Sequence, residues 1–183
     1  MPALMFTRRL LKALGPRTVC ALFPLQEVTE DRSVLGGWSA NVIMAPRQRY
    51  VIFVNVRTLL SIIVLMAPGR ELIERFRESL CDELVRLGVS EADADAESRS
   101  FERAVLTPNT DRGLLGVLND YAFHYRYRIE TDHRAGEAPD LRKLQAELNH
   151  MPHVSRGPTF SDRSVRALFG VDEPRSGSAG ADR

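Results

Sequence analysis

Two stretches of the chain carry polar side chains that could together bind a ligand. Trp38 and Asn41 open the most apolar segment, while Asn109, Arg112 and Asn119 surround the start of a predicted helix. An arginine beside the free N–H groups of a first helical turn favours a phosphate or carboxylate ligand. An aromatic wall and amide groups are typical of a small-molecule pocket. We therefore predict a ligand-binding site from these five residues if the Trp38 strand lies beside that helix.

The same five residues also suit purely structural roles, and the sequence leaves this alternative open. Trp38 could belong to the core, Asn41 and Asn119 could be satisfied buried amides, Asn109 could cap the helix, and Arg112 could form a surface ion pair. The sequence has no nucleophile-and-base motif, Gly-rich phosphate loop or dinucleotide fingerprint. Catalytic residues therefore stay unassigned, no cofactor is predicted, and whether the chain is an enzyme remains open.

A third hypothesis concerns residues 125–128, where Tyr125 and Tyr127 alternate with Arg126 and Arg128. Interleaved arginines and aromatic rings can form a stacking surface for single-stranded nucleic acid. The formal net charge is only +1, and the chain contains one such stretch. The pattern therefore favours an ordinary amphipathic helix end or strand and disfavours nucleic acid as the partner.

Residues with metal-ligating side chains lack a convincing arrangement. His150 and His153 have a spacing that zinc can use, but Pro152 lies between them and no third ligand is adjacent. The acidic residues of segment 91–97 are typical of a solvated helix face, so we predict no metal site.

Cys20 and Cys81 form no Cys-x-x-Cys pair, and no cleavable leader is indicated. We therefore expect a soluble, cytoplasmic protein.

The elements that would position the predicted site begin with residues 38–66. Trp38, Ala40 and Val42 alternate with Ser39 and Asn41, as in a β-strand, and two nearly continuous apolar runs follow. We predict an α+β fold in which an antiparallel sheet of three to four strands, a meander over residues 38–66, is covered by amphipathic helices. The apolar run of residues 51–67 is too short and too polar to cross a membrane.

Helix signals flank this sheet. Thr7 is the predicted N-cap of a helix over residues 6–14 that stops at Gly15, and further helices are predicted over residues 68–88, 90–98, 141–148 and 161–169. Another helix should start with Asn109 or Thr110 as its cap, after a short strand over residues 104–106. We expect residues 1–170 to form one domain and residues 171–183 to be a disordered tail.

Two motifs in this order resemble a known family. Gly37-Trp38-Ser39-Ala40-Asn41 precedes an apolar strand, and Arg112-Gly113-Leu114-Leu115-Gly116-Val117-Leu118-Asn119-Asp120 follows later. They are similar to the Trp-x-Ala-Asn strand opening and the Arg-Ser-Val-Leu-Gly-Ser-Met-Asn helix of the uncharacterised bacterial domain-of-unknown-function family 6933. The resemblance implies the domain boundaries and a bacterial origin, and it implies no reaction.

Three functions follow from these observations. The leading prediction is a non-enzymatic binding or regulatory domain that recognises an unknown protein or a small anionic ligand. The first alternative is an enzyme or ligand-binding protein with an anion site at Arg112 and the helix start near Asn109. The second alternative is a single-stranded nucleic-acid binder that uses residues 125–128. No membrane partner is expected.

Overall fold

A computed structural model of the protein describes residues 2–22, 33–153 and 159–171. The strands are β1 (Ala3–Phe6), β2 (Trp38–Met44), β3 (Arg49–Asn55), β4 (Ser61–Leu65), β5 (Val105–Pro108), β6 (Pro152–His153) and β7 (Thr159–Phe160). The helices are α1 (Arg8–Leu14), α2 (Pro16–Leu22), α3 (Leu72–Arg86), α4 (Glu91–Ser100), α5 (Arg112–Arg134), α6 (Leu141–Asn149) and α7 (Ser161–Phe169), with short 3-10 turns at Gly69–Glu71 and Phe101–Arg103. The predicted disordered tail over residues 171–183 is wrong at its first residue, because Val171 packs against the core. Residues 172–183 lie outside the described part.

The main sheet has five strands in the order β4-β3-β2-β1-β5, and β6 pairs with β7 in a separate ribbon. The predicted meander is confirmed, because β2, β3 and β4 pair antiparallel in sequence order. The predicted short strand over residues 104–106 is confirmed as β5. The prediction of an antiparallel sheet with three to four strands is wrong in two respects. The sheet has five strands, and β1 lies between β2 and β5 and is parallel to both.

Strand β1 replaces the start of the predicted first helix. Leu4 and Phe6 are 0% and 1% exposed, so this short strand is held by burial of its apolar side chains. The helix begins two residues later than predicted, at Arg8. Its predicted signals are confirmed: Thr7 caps it by accepting a hydrogen bond from the Leu10 N–H, and Gly15 ends it with φ of 78°.

Helices cover both faces of the sheet, because alternate side chains of each strand point to opposite faces. On one face, Ala40 and Phe53 pack with Phe76 and Leu80 of α3. The other face carries a second apolar cluster to which α5 and α6 contribute. Burial on both sides explains the nearly continuous apolar runs of β3 and β4.

The outer edge of β4 is covered by side chains of α6 instead of another strand. Asn149 accepts a hydrogen bond from the Ser61 N–H at 2.8 Å and donates to the Ser61 carbonyl at 2.9 Å. One turn earlier, Gln145 accepts from the Ile63 N–H at 3.0 Å. Asn149 also donates to Glu83, a buried carboxylate that Arg86 binds through two hydrogen bonds. These groups satisfy backbone that an edge strand would otherwise leave unpaired.

No helix in the described ranges combines the length and the apolar character that a membrane span requires.

Candidate functional site

Trp38 lies in the hydrophobic core and is 0% exposed. Its ring packs edge-on against Phe76 and Phe101, with ring centroids 5.2 and 6.4 Å away. These aromatic contacts stabilise the folded state beyond the effect of burying the ring. Its Nε1–H has no hydrogen-bond partner in the described structure, and the surrounding side chains are apolar. Trp38 therefore supports the core and is not placed to contact a ligand.

Asn41 points to the opposite face of β2, towards α5, because it lies an odd number of residues from Trp38. Its Oδ1 accepts hydrogen bonds from the Thr7 hydroxyl at 2.8 Å and from the Val42 N–H at 2.9 Å. Since Thr7 also caps α1, this bond fixes the start of α1 against β2. The side chain is 6% exposed, and its Nδ2 has no partner among the described residues. This amide donor is available to an acceptor from outside.

A pocket of about 150 Å³ lies between the start of α1, strand β2 and one face of α5. Asn41 lines it together with Asn119, Phe123, Arg9 and Arg126, and residues 42–44 and Ala122 complete the wall. None of the side chains that line this pocket is a carboxylate. We call this site the α1–α5 pocket.

The two arginines give the α1–α5 pocket a positive field. Arg9 makes no ion pair within the described ranges, and Arg126 has only a loose one, with its Nε 3.6 Å from Glu130 Oε1. Glu130 also lies 3.5 Å from Arg134, so its single negative charge is shared. The balance of charge at the pocket is positive, and a guanidinium offers several N–H donors in a fixed plane.

Asn109 and Arg112 lie outside this pocket. Asn109 donates from Nδ2 to the Ser39 hydroxyl and accepts from the Asp111 N–H, so its amide is used within the fold. The predicted cap, Asn109 or Thr110, is wrong, because Asp111 caps α5 by accepting from the Leu114 N–H at 3.1 Å. The Asp111 carboxylate therefore occupies the positive helix end that was predicted to hold an anion. Arg112 is exposed at the first residue of α5.

Of the five residues predicted to form a site, Asn41 and Asn119 line one pocket, and Trp38, Asn109 and Arg112 do not. Sequence reasoning missed Arg9 and Phe123 as lining residues. A signal for the second was present, since Asn119, Phe123 and Arg126 recur at spacings of four and three and so share one helix face. Arg9 is two residues beyond Thr7, but no local pattern links Thr7 to Asn41.

The predicted stacking surface over residues 125–128 is wrong for Tyr125, which is 0% exposed. Its hydroxyl lies 2.8 Å from Ser61 Oγ, and burial raises the pKa of Tyr125 above its ordinary value. Arg128 pairs with Glu147 at 2.8 Å, while Tyr127 is 58% exposed. A helix sends consecutive side chains in different directions, so the four residues do not form one surface.

His150 binds an acidic side chain, with its Nδ1 2.7 Å from Asp162 Oδ2. The side chain of His153 lies outside what the structure describes. Within the described ranges, no three His, Cys, Asp or Glu side chains are placed to share a metal ion.

Glu97, predicted to be solvated, is 3% exposed and accepts hydrogen bonds from Ser33 and Val34 at 2.6 and 2.7 Å.

A family model described as Domain of unknown function (DUF6933) matches residues 3–163. The chain belongs to this family. No curated protein and no solved structure matches the chain. In this DUF6933 domain, the two motifs that carry the family resemblance meet at the α1–α5 pocket: the Trp-x-Ala-Asn strand opening contributes Asn41, and the helix motif contributes Asn119.

Proposed function

We propose that this DUF6933 domain is a non-enzymatic binding domain that holds an anionic group in the α1–α5 pocket. The observation that supports the proposal is the buried side-chain amide of Asn41, which is held in one orientation. Its side chain is nine-tenths buried, its Oδ1 is fixed by two hydrogen bonds, and its Nδ2 is left to the pocket. A buried amide held in one orientation is a preorganised donor, since little conformational entropy is lost when it binds an acceptor.

The charge of the pocket lining determines the ligand class. Arg9 and Arg126 supply charge and N–H donors, and Asn41 and Asn119 supply amide donors. Hydrogen bonds from a guanidinium to a carboxylate or phosphate are about twice as strong as those between neutral groups. The volume of about 150 Å³ is below the roughly 300–1,000 Å³ of pockets that enclose a drug-sized ligand. The pocket therefore suits a single carboxylate or phosphate group.

Binding is favoured over catalysis by the types of side chain that line the pocket. They are arginine, asparagine and apolar residues, without a histidine, cysteine, carboxylate, serine or lysine. An arginine stays protonated in proteins, and an amide neither accepts nor releases a proton near neutral pH. General acid–base or nucleophilic chemistry in this pocket would need a group from the ligand itself.

The test is a thermal-shift titration of the wild-type protein with inorganic phosphate, pyrophosphate and succinate. A ligand at a hundred times its dissociation constant should stabilise the fold by about 2.7 kcal/mol. Asn119→Asp and Arg126→Gln should each reduce the shift, because they add a negative charge or remove a positive one. Both side chains are exposed, so their own cost in stability should stay below about 1 kcal/mol.

Arg112→Gln is the matched control, because it removes an exposed arginine of the same helix that lies outside the pocket. It should leave the anion shift unchanged. Two results would contradict the proposal: no anion shifts the wild type, or the Arg112→Gln variant loses the shift while Arg126→Gln keeps it. The second result would instead favour the site at the start of α5.

We further propose that residues 1–170 form one cytoplasmic domain. The family match over residues 3–163 supports the boundaries. Cys20 and Cys81 are both free thiols, which agrees with a reducing compartment. Val171 packs against the core. A shortened chain that ends after Val171 should therefore keep the wild-type melting temperature, and a loss of several degrees would show that residues 172–183 stabilise the fold.

A further inference from the structure

A wider groove adjoins the α1–α5 pocket at the end of the sheet. It has a volume of about 610 Å³ and is formed by the β2–β3 turn and the end of β4. Met44, Leu65 and Met66 supply its apolar wall, and Arg47 and Arg49 lie among them. Met44, the last residue of β2, lines both the groove and the α1–α5 pocket, so the two sites adjoin at this end of the sheet. We call the combined surface the Met44 groove.

Hydrogen bonds fix the backbone of the Met44 groove. Arg75 of α3 donates from Nε to the Leu65 carbonyl at 3.1 Å and from Nη2 to the carbonyls of Met66 and Pro68 at 3.3 and 2.6 Å. The Met66 N–H donates to the Arg49 carbonyl at 2.9 Å, which closes the sheet at this end. A wall that is already ordered loses little entropy on binding a partner.

The apolar side chains of the Met44 groove are much more exposed to solvent than the core residues are. Met44 is 42% and Leu65 is 37% exposed, and Phe123 at the rim of the α1–α5 pocket is 59% exposed. Methionine adapts its shape readily and is common at surfaces that bind peptides. An apolar surface of this kind favours a partner that brings apolar side chains of its own.

The charges on the Met44 groove have one sign. Arg9 and Arg126 lie in the α1–α5 pocket and Arg47 and Arg49 in the groove, and none of the residues that line either site is acidic. Within the described ranges, only Arg126 of these four forms an ion pair. The complementary partner must therefore carry both negative charge and apolar side chains.

We propose that the Met44 groove binds an acidic peptide segment of a partner protein. An aspartate, glutamate or C-terminal carboxylate of the peptide occupies the α1–α5 pocket, and a neighbouring aliphatic side chain packs against Leu65, which lies on the same face of the sheet as Asn41. This inference rests on the anion site proposed above and adds the class of molecule that carries the anion.

A peptide fits this surface better than nucleic acid or a membrane. Apart from Phe123 at the rim of the α1–α5 pocket, the Met44 groove has no aromatic ring on which bases could stack. It is concave, whereas insertion into a lipid surface needs a projecting apolar face. The peptide cannot bind as an added strand on β4, because Asn149 and Gln145 occupy that edge, so its side chains carry the recognition.

The test uses the full-length protein and a display library of twelve-residue peptides built from Asp, Glu, Leu, Met, Ser and Gly. Peptides enriched on the wild type should contain both acidic and aliphatic residues. Labelled synthetic copies should bind at least tenfold more weakly to Leu65→Ser and to Arg126→Gln. Val85→Ser is the matched control, since Val85 is 39% exposed on α3 and lies outside the groove. It should bind the peptides as the wild type does.

The thermal shift with inorganic phosphate separates this inference from the proposed anion site. Leu65→Ser should keep the full phosphate shift and lose the peptide. If phosphate shifts the wild type but no acidic-aliphatic peptide is enriched, or if Leu65→Ser binds the peptides normally, the peptide site is wrong and the anion site stands. If phosphate gives no shift and Arg126→Gln binds the peptides normally, the anion site and the inference built on it both fail. The peptide assignment would also be wrong if no peptide is enriched but the wild type binds a single-stranded oligonucleotide or anionic vesicles, and Leu65→Ser abolishes that binding.

Discussion

Asn149→Ala should destabilise the fold strongly, because the Asn149 side chain pairs with both backbone groups of Ser61 at the β4 edge. Asn149 is 0% exposed and makes four hydrogen bonds, three to the N–H, hydroxyl and carbonyl of Ser61 and one to Glu83. The alanine variant keeps the Ser61 hydroxyl paired with Tyr125 and keeps Glu83 paired with Arg86. The backbone N–H and carbonyl of Ser61 lose their partners.

The size of the effect follows from those two backbone groups. A buried polar group that loses its partner costs about 1–3 kcal/mol. Two such groups give an expected loss of about 4 kcal/mol, a large fraction of the roughly 5–15 kcal/mol that stabilises a native domain. For a chain of this length, about 4 kcal/mol corresponds to a fall of roughly 8–16 °C in melting temperature.

Urea unfolding followed by tryptophan fluorescence measures this loss directly. Trp38 is the single tryptophan and is fully buried in the core, so its emission reports the loss of the native core without interference. Gln145→Ala removes one hydrogen bond to the Ile63 N–H and should cost about 1–2 kcal/mol. Glu147→Ala, in the same helix, removes an exposed ion pair with Arg128 and should cost less than about 1 kcal/mol.

The order of the three variants decides whether the reasoning holds. We expect the loss to be greatest for Asn149→Ala, smaller for Gln145→Ala and least for Glu147→Ala. If Asn149→Ala costs no more than Glu147→Ala, the α6 side chains do not sustain the sheet edge. Asn149→Asp provides a further check, because it keeps the shape of the side chain but places a carboxylate against Glu83. Proximity to Glu83 would raise the folded-state pKa of that new carboxylate, so the deficit relative to the wild type should shrink as the pH falls.

Three further predictions concern titration, reactivity and backbone strain. Burial raises the pKa of Tyr125, so this tyrosine ionises at a lower pH in the unfolded chain than in the folded protein. The free energy of unfolding should therefore fall as the pH rises above about 10, by about 1.4 kcal/mol per pH unit for this residue. Tyr125→Phe should make that decline less steep in urea unfolding at a series of pH values. Burial and, to a smaller extent, the nearby Asp95 raise the pKa of the Cys81 thiol. Iodoacetamide should therefore alkylate the exposed Cys20 faster than Cys81, and equal rates for the two cysteines would contradict this prediction. Arg47 follows the turn proline with φ of 72°, so Arg47→Gly should melt no lower than the wild type and Arg47→Val should be less stable by about 1–2 kcal/mol in urea unfolding.

Local signals in the sequence predicted the elements that depend on local chemistry. The side chain of Thr7 and the backbone freedom of Gly15 define α1 within a few residues, and the apolar runs define β3 and β4. Strand β1 was missed because four residues carry too little periodicity to distinguish a strand from the start of a helix. Its parallel pairing with β2 and β5 joins residues far apart in the chain, and no local pattern reports such pairing.

The predicted site shows the same limit and one avoidable error. Trp38 and Asn41 are three residues apart in a strand, so the alternation that predicted the strand also sends their side chains to opposite faces. Their side chains could therefore not have met on one face of the sheet. Asn41 and Asn119 do meet, but only because α5 packs against β2, and the contribution of Arg9 depends on a hydrogen bond between Thr7 and Asn41 that spans 34 residues. These contacts are set by tertiary packing.

The covering of β4 by α6 also has a consequence for the chain while it is being made. Asn149 follows Ser61 by 88 residues, so at about 5–20 residues per second the ribosome needs roughly 4 to 18 s to supply the side chain that pairs with the strand. Throughout that interval the nascent sheet has an open hydrogen-bonding edge, to which a neighbouring nascent chain could add. Chains stalled before residue 149 are therefore expected to aggregate more readily than chains stalled after α6 has emerged.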